Sequence, residues 1–329
     1  MAIIRTEGLD KKFKIYERGE GITGYLKSFV KREYREVEAV KNLDLEIEKG
    51  EMIGYIGSNG AGKSTTVKML TGILEPTSGQ LEVDGRNPVK HRKNNAMNMG
   101  VVFGQKTQLW WDLPVKESFK LLKEIYEVDE EEYEDRIKEF DEVLQLSDFW
   151  DQPVRKLSLG QKMRCELAAA FLHHPKIVYL DEPTIGLDVA VKERIREFIK
   201  KMNREEDITV MLTTHDIGDI EDLCERVVVL DEGKKIYDGR LDSLVDKFTS
   251  RRLIMELKEG EEFDLSMNGV VEISKNQKDV EVTFDREKIS ASDLMRQILD
   301  EHEVIDFKIK EPDIESVVKK VYNKGLKEE

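Results

Sequence analysis

The chain has 329 residues, enough for about two domains by the usual length prior, and its 39% hydrophobic content suffices for a packed core. Its 68 acidic against 53 basic side chains leave a formal charge of −15, which argues against wholesale nucleic-acid binding, a role that ordinarily brings a basic domain. Two cysteines, Cys165 and Cys224, suit a reducing compartment, give no disulfide framework and stand in no metal-ligand spacing, so both are expected as core thiols.

The opening MAIIRTEGLDKKF lacks the apolar stretch of a signal peptide. No run approaches the roughly eighteen uninterrupted apolar residues that span a bilayer. A soluble, cytoplasmic chain is therefore expected, with any membrane role passing through a partner. Ile3–Thr6 and Lys11–Tyr16 read as strands. In residues 17–36 the apolar positions Ile22, Tyr25, Leu26, Phe29 and Val30 fall on one helical face, with Lys27, Lys31, Arg32 and Arg35 forming a basic surface. Such a helix could lie at a membrane face among lipid head groups or fold back on its own domain. VKNLDLEIEKGE reads as a strand and turn.

Next comes MIGYI, then GSNGAGKST, then VKML. The middle stretch fits G-x-x-x-x-G-K-S at Gly57, Gly62, Lys63 and Ser64. Between a strand and a helix, Gly57, Ser58, Asn59, Gly60, Ala61 and Gly62 can curl backbone N–H groups around a phosphate, and the helix points its positive end at the anion. Lys63 would reach the terminal phosphates, and Ser64, followed by Thr65, would ligate Mg²⁺. SGQLEVDGRNP then alternates like an edge strand, GVVFGQ is a short buried strand, and Lys116–Ser147 is mostly helical.

KLSLGQKMRCELAAAFLHHP reads as a loop feeding a helix capped by Ser158 and running to His173. This is a second anion-ready helix tip, and a single nucleotide calls for one phosphate loop. Taken alone, a capped helix start is ordinary. IVYLDEP is an apolar strand ending in carboxylates, the pattern of a buried parallel strand. There Asp181 would hold Mg²⁺ through its water shell, and Glu182 would orient or deprotonate an attacking water. A helix over Val191–Asn203 and the strands DITVMLTTHD and RVVVLDEGKKIYDG follow, and such alternation implies a parallel sheet covered by helices. From Leu241 the pattern changes to RRLIMEL, VVEISK, VEVTFD and VIDFKIK, period-two strands accompanied by helices at Ser292–Asp300 and Ile314–Tyr322. His91, His173, His174 and His302 read as surface or packing residues.

In this order the motifs resemble the ATP-binding cassette family, the ATPase subunits of ABC transporters. GSNGAGKST matches the Walker A loop, Gln105 the Q-loop, and LSLGQ (Leu157, Ser158, Leu159, Gly160, Gln161) the signature loop, with Leu159 where Gly is commoner. IVYLDEP matches Walker B, Ile185–Asp188 the D-loop with Asp188 at its end, and His215 the H-loop. The resemblance covers residues 3 to about 245. It implies an α/β P-loop NTPase cassette at 1–245, a mainly parallel sheet core with an antiparallel β-subdomain, a helical subdomain at 106–175 and the amphipathic insertion at 17–36. Residues 246–329 would form a small C-terminal α/β accessory domain.

The resemblance further implies ATP and Mg²⁺ as cofactors, with Ser64, Gln105 and Asp181 at the metal. Glu182 would be the base, His215 the γ-phosphate contact and Gln105 a sensor of the metal or water. Phe13, with Tyr16 as the alternative, would stack on adenine. Cassettes of the family dimerise head to tail, so Ser158 and Gly160 would act on the partner's nucleotide, in a homodimer or with a related subunit. The insertion, GQKTQLWWDLP and the tail EPDIESVVKKVY look like a bacterial or archaeal subgroup whose cassettes pair with separate membrane permeases, mostly in export, at the cytoplasmic face of the membrane. Trp110 and Trp111 fall where the permease docks, or else in the helical-subdomain core. Soluble ABC proteins of ribosomes or DNA carry paired cassettes or long coiled coils, which this chain lacks; P-loop kinases and GTPases have no place for LSLGQ and His215.

Overall fold

The computed structural model describes residues 2–16, 34–104, 106–214, 216–246, 250–258, 263–276, 279–285 and 288–310. The chain divides into two compact units, Met1–Asp238 and Gly239–Glu329.

In the first unit, β1 (Ala2–Tyr16) and β2 (Tyr34–Glu48) form a long antiparallel pair, joined on the other side of β1 by β4 (Ser78–Val83). The two strands expected before residue 17 are one continuous β1. Register shifts between Thr6 and Lys12 bend it without breaking the pairing. The insertion is also shorter than expected: Tyr34, Arg35 and Glu36 belong to β2, opposite Tyr16, Ile15 and Lys14. Opposite charges across the pair, Lys12 with Glu38 at 2.6 Å and Lys14 with Glu36 at 3.8 Å, favour this hairpin over a longer helix. The proposed face Ile22–Val30, with Lys27, Lys31 and Arg32, lies outside the described residues.

The central sheet holds β3 (Met52–Gly57), β5 (Met99–Phe103), β6 (Ile177–Asp181), β7 (Thr209–Thr213), β8 (Arg226–Asp231) and β9 (Lys234–Arg240), in the order β5-β6-β7-β3-β8-β9. The pairs β5–β6, β6–β7, β7–β3 and β3–β8 are parallel. Strands β6, β7 and β8 are buried along nearly their whole lengths, which explains their unbroken apolar runs. Register sets Phe103 beside Asp181 and Asp181 beside Thr213, so the carboxyl ends of three strands meet along one edge. In open α/β sheets this is the edge where ligands bind.

Between β5 and β6, Lys116–Ser147 is mostly helical as expected, in two helices, Val115–Tyr126 and Glu130–Leu144. Glu127 takes a left-handed conformation, φ 57°, and ends the first; acidic residues fill the first turn of the second. The helix expected to reach His173 stops at Phe171. His173 is half-buried, its ring stacked on Tyr126 with centroids 3.7 Å apart. Cys165 and Cys224 are buried free thiols.

The second unit is an antiparallel sheet in the order β11-β12-β10-β13, built from β10 (Ser250–Leu257), β11 (Val270–Asn276), β12 (Asp279–Asp285) and β13 (Val304–Lys310). The Ala291–Glu301 helix buries Leu294, Met295 and Ile298 in a core with Leu253, Met255 and Val282. The expected helix Ile314–Tyr322 lies outside the described residues.

Candidate functional site

The loop after β3 is shaped by its glycines. Gly60 and Gly62 have φ of 87° and 102°, which a side chain resists. A Cβ on Gly62 would sit 2.3 Å from the Ala39 carbonyl oxygen, so no larger residue fits. Gly62 begins the Lys63–Leu70 helix without a capping side chain, leaving that helix end open to an anion. Behind it, Tyr55 donates to Thr66 (3.1 Å) and Thr66 to the Gly62 carbonyl (3.1 Å), anchoring the turn. The Lys63 ammonium folds back onto the carbonyls of Gly57 (2.6 Å) and Ser58 (3.1 Å). Burial pulls its pKa below the ordinary lysine value, opposed by Glu182 and Asp181.

The carboxylate edge lies opposite. Asp181 accepts hydrogen bonds from Ser64 (3.4 Å) and from the Thr213 hydroxyl. Its carbonyl accepts the Gly104 N–H at 3.0 Å. Glu182 has φ 54°, uncommon for a non-glycine residue, and its N–H donates to the Thr213 carbonyl at 2.8 Å. Loop and carboxylates together line a cleft of about 480 Å³ that includes Asn59, Gly60, Gly62, Lys63, Ser64, Thr65, Gly104, Lys106, Asp181 and Glu182. Ser64 and Asp181 are hard oxygen donors side by side. They suit Mg²⁺, which keeps several waters and takes one or two protein oxygens plus phosphate oxygens rather than an all-protein cage.

Gln105 and His215 lie outside the described residues. Phe13 is half-buried on β1 with the Lys11 ammonium 5.3 Å from its ring centre, and it does not line the cleft; Tyr16 is described only as the backbone partner of Tyr34.

Ser158 caps the Leu159–Phe171 helix in a reciprocal box: it accepts the Gln161 N–H at 3.2 Å, and the Gln161 side chain accepts the Ser158 N–H at 2.9 Å. A Cβ on Gly186, in the Ile185–Asp188 turn, would stand 3.3 Å from Leu159 Cδ2 at this tip. Asp188 caps the Val189–Glu206 helix through the Val191 N–H (2.9 Å), and a Cβ on Gly160 would stand 3.4 Å from Val191. Leu159 is 49% exposed. None of Leu157 to Gln161 lines the cleft of its own chain.

Sequence reasoning missed two side chains that shape this region. Asp219, fully buried, accepts from the Thr184 hydroxyl, the Thr214 hydroxyl (3.3 Å) and Arg196 Nε (2.8 Å), and so holds the residues flanking Glu182 and position 215. Glu166 is buried in the Ala-rich helix against Thr107 and Gln108. An acid in a helix gives no local sign of burial, so nothing in the pattern flagged either. Trp110 and Trp111 are 38% and 53% exposed, so neither is a core residue.

A family description reading "ABC transporter" matches residues 40–185. The ABC transporter ATP-binding protein NatA of Bacillus subtilis (strain 168) is 35% identical over 217 residues, 66% of this chain and 88% of that protein. The methionine import ATP-binding protein MetN 2 of Enterococcus faecalis (strain ATCC 700802 / V583) is 32% identical over 288 residues, 84% of this chain and 83% of that protein. A solved structure described as a dimeric post-hydrolysis state of an ATP-binding cassette bound to ADP and Pi superposes with TM-score 0.60 at 28% identity, covering 72% of this chain and 98% of that one.

Proposed function

The chain belongs to the ABC transporter family of ATP-binding proteins and is an ATPase of that family, and on that premise we propose that it works as a head-to-tail dimer whose ATP-driven closure moves a separate membrane permease. In this reading Gly57 to Thr65 cradle the phosphates of ATP, and Lys63 exchanges the carbonyls of Gly57 and Ser58 for phosphate oxygens. Ser64 and Asp181, with Gln105, hold Mg²⁺, which neutralises charge on the phosphate oxygens. Glu182 accepts the proton of the attacking water, and His215 contacts the γ-phosphate. Phe13 or Tyr16 stacks on adenine. Asp188 and the signature residues Leu157 to Gln161 act across the dimer. Closure is favoured because the second set of phosphate contacts exists only when both chains are present, the differential affinity a switch requires.

The observation that carries this reading is the Ser158–Gly160 tip: a well-capped, solvent-facing helix end that takes no part in its own chain's cleft. No helix among the described residues is long and apolar enough to cross a membrane, so the crossing is assigned to the permease, with this chain at its cytoplasmic face and Trp110 and Trp111 in the contact. The insertion and GQKTQLWWDLP support export; the import in the name of MetN 2 marks the competing direction, which ATP-dependent substrate movement in oriented vesicles with the permease distinguishes.

Complementation tests the dimer. A Lys63→Ala chain and a Ser158→Arg chain are each expected to be inactive. Mixed together they form some dimers with one intact site, and ATP turnover returns. A mixture that stays at the level of its components refutes the shared site.

A further inference from the structure

We propose that Glu166 is a positioning residue: its buried carboxylate latches the segment after position 105 to the helix bearing the Ser158–Gly160 tip, so that the tip, the cleft wall and the exposed tryptophan pair move as one piece. The inference rests on the nucleotide-dependent closure proposed above.

Glu166 is 4% exposed and sits among Leu167, Ala168, Ala169 and Ala170, all buried. A carboxylate is costly there unless its oxygens are bonded, and an apolar side chain would serve packing alone. Its partners all lie on one short segment. The Thr107 hydroxyl donates to one carboxylate oxygen and the Gln108 N–H to the other at 3.1 Å. The Gln108 side chain returns to the Glu166 carbonyl at 3.0 Å, and the Thr107 oxygen accepts the Leu109 N–H at 3.1 Å. Burial drives the Glu166 pKa up, while these donors and Lys162 pull it back. The segment thus runs from Lys106 on the cleft wall, through the latch, to Trp110 and Trp111 at the surface. The far end is tied to the same helical region: the Arg155 N–H donates to the Trp111 carbonyl (3.0 Å), Arg155 pairs with Asp112, and the Lys162 ammonium stands 5.4 Å from the Trp111 ring centre. Lys162 and Glu166 are one helical turn apart, so the ammonium beside the indole travels with the latch, and closure of the dimer changes what the exposed remainder of the ring faces.

The test uses tryptophan emission. The chain has three tryptophans, and Trp150→Phe leaves Trp110 and Trp111 as reporters. In that background with Glu182→Gln, emission and light scattering are recorded together as ATP and Mg²⁺ are added. The latched chain is expected to shift its emission as dimers form. Glu166→Ala is expected to bind ATP within about twofold of its parent, since it touches no phosphate, yet to lose most of the emission shift. With Glu182 intact, its turnover should fall about tenfold, the effect of one lost charge-assisted hydrogen bond of ordinary strength. Glu166→Gln keeps an acceptor for the Gln108 N–H and should restore at least half of the shift, a rescue that plain destabilisation does not produce. Should Glu166→Ala fail to fold, Thr107→Val removes one donor at the same latch and is read the same way. A full emission shift and parental turnover in Glu166→Ala or Thr107→Val overturns the proposal. So does an absent shift in the parent chain, whatever its mass; scattering that reports single chains throughout defeats the dimer reading separately.

Discussion

Replacing Asp219 by alanine strips acceptors from three partners at once: the hydroxyls of Thr184 and Thr214 and the Arg196 guanidinium. Asp219 is fully buried and the Arg196 side chain 17% exposed, so the Asp219–Arg196 pair is shielded from water. Breaking one side of such a pair costs about 3–5 kcal/mol, because the remaining charge and hydroxyls lose their partners. Arg196 also bonds Asp222 at 2.6 Å, which places the cost toward the lower end. Asp219→Asn keeps an acceptor for the threonines and loses mainly the charge, so about 1–3 kcal/mol is expected. For a unit of this size each kcal/mol moves the melting temperature by about 2–4 °C, giving a drop of about 6–20 °C for alanine and about 2–12 °C for asparagine. Differential scanning calorimetry reads this. Because Thr184 and Thr214 flank Glu182 and position 215, ATP turnover should fall for the alanine variant at temperatures where it is still folded, while ATP affinity stays near that of the parent. Equal melting temperatures for the alanine and asparagine variants, or an alanine variant within about 2 °C of the parent, would refute the reasoning.

Two further outcomes follow from the rings of His173 and Tyr179. Burial holds the His173 pKa at about 4, against an ordinary value near 6.5, and its Nε2 lies 3.1 Å from the Met99 carbonyl. The unfolded chain therefore binds the extra proton first as pH falls: stability is complete above about pH 6.5, declines between there and about pH 4, and loses roughly 3 kcal/mol in all. Subtracting the urea-unfolding profile of His173→Phe from that of the parent should isolate this slope; parallel profiles over that window would exclude it. Among the described residues the Tyr179 hydroxyl, fully buried, has no hydrogen-bond partner, so Tyr179→Phe should stabilise the protein by about 1 kcal/mol, and a lower melting temperature would count against it.

Local patterns made much of the site legible before any coordinates. Gly57, Gly62, Lys63 and Ser64 impose a turn and an open helix end through backbone conformation alone, and Ser158 with Gln161 closes a cap within four residues of chain. The unbroken apolar run before Asp181 follows from a strand covered on both faces. These features depend on φ, on short-range hydrogen bonds and on periodicity, all of which neighbouring residues carry. What only the tertiary structure decided is who meets whom. Ser64 and Asp181 are 117 positions apart and touch because the order β6-β7-β3 brings their strands' ends to one edge. Glu166 finds Thr107 across 59 positions, and Asp219 finds Thr184 across 35, partners that nothing in either helix's own sequence names. The hairpin arm at Tyr34–Glu36 was likewise hidden, since its support is a row of cross-strand charges rather than a hydrophobic period. Burial of a polar side chain is set by the elements packed over it, and that information is spread across the whole chain rather than written beside the residue.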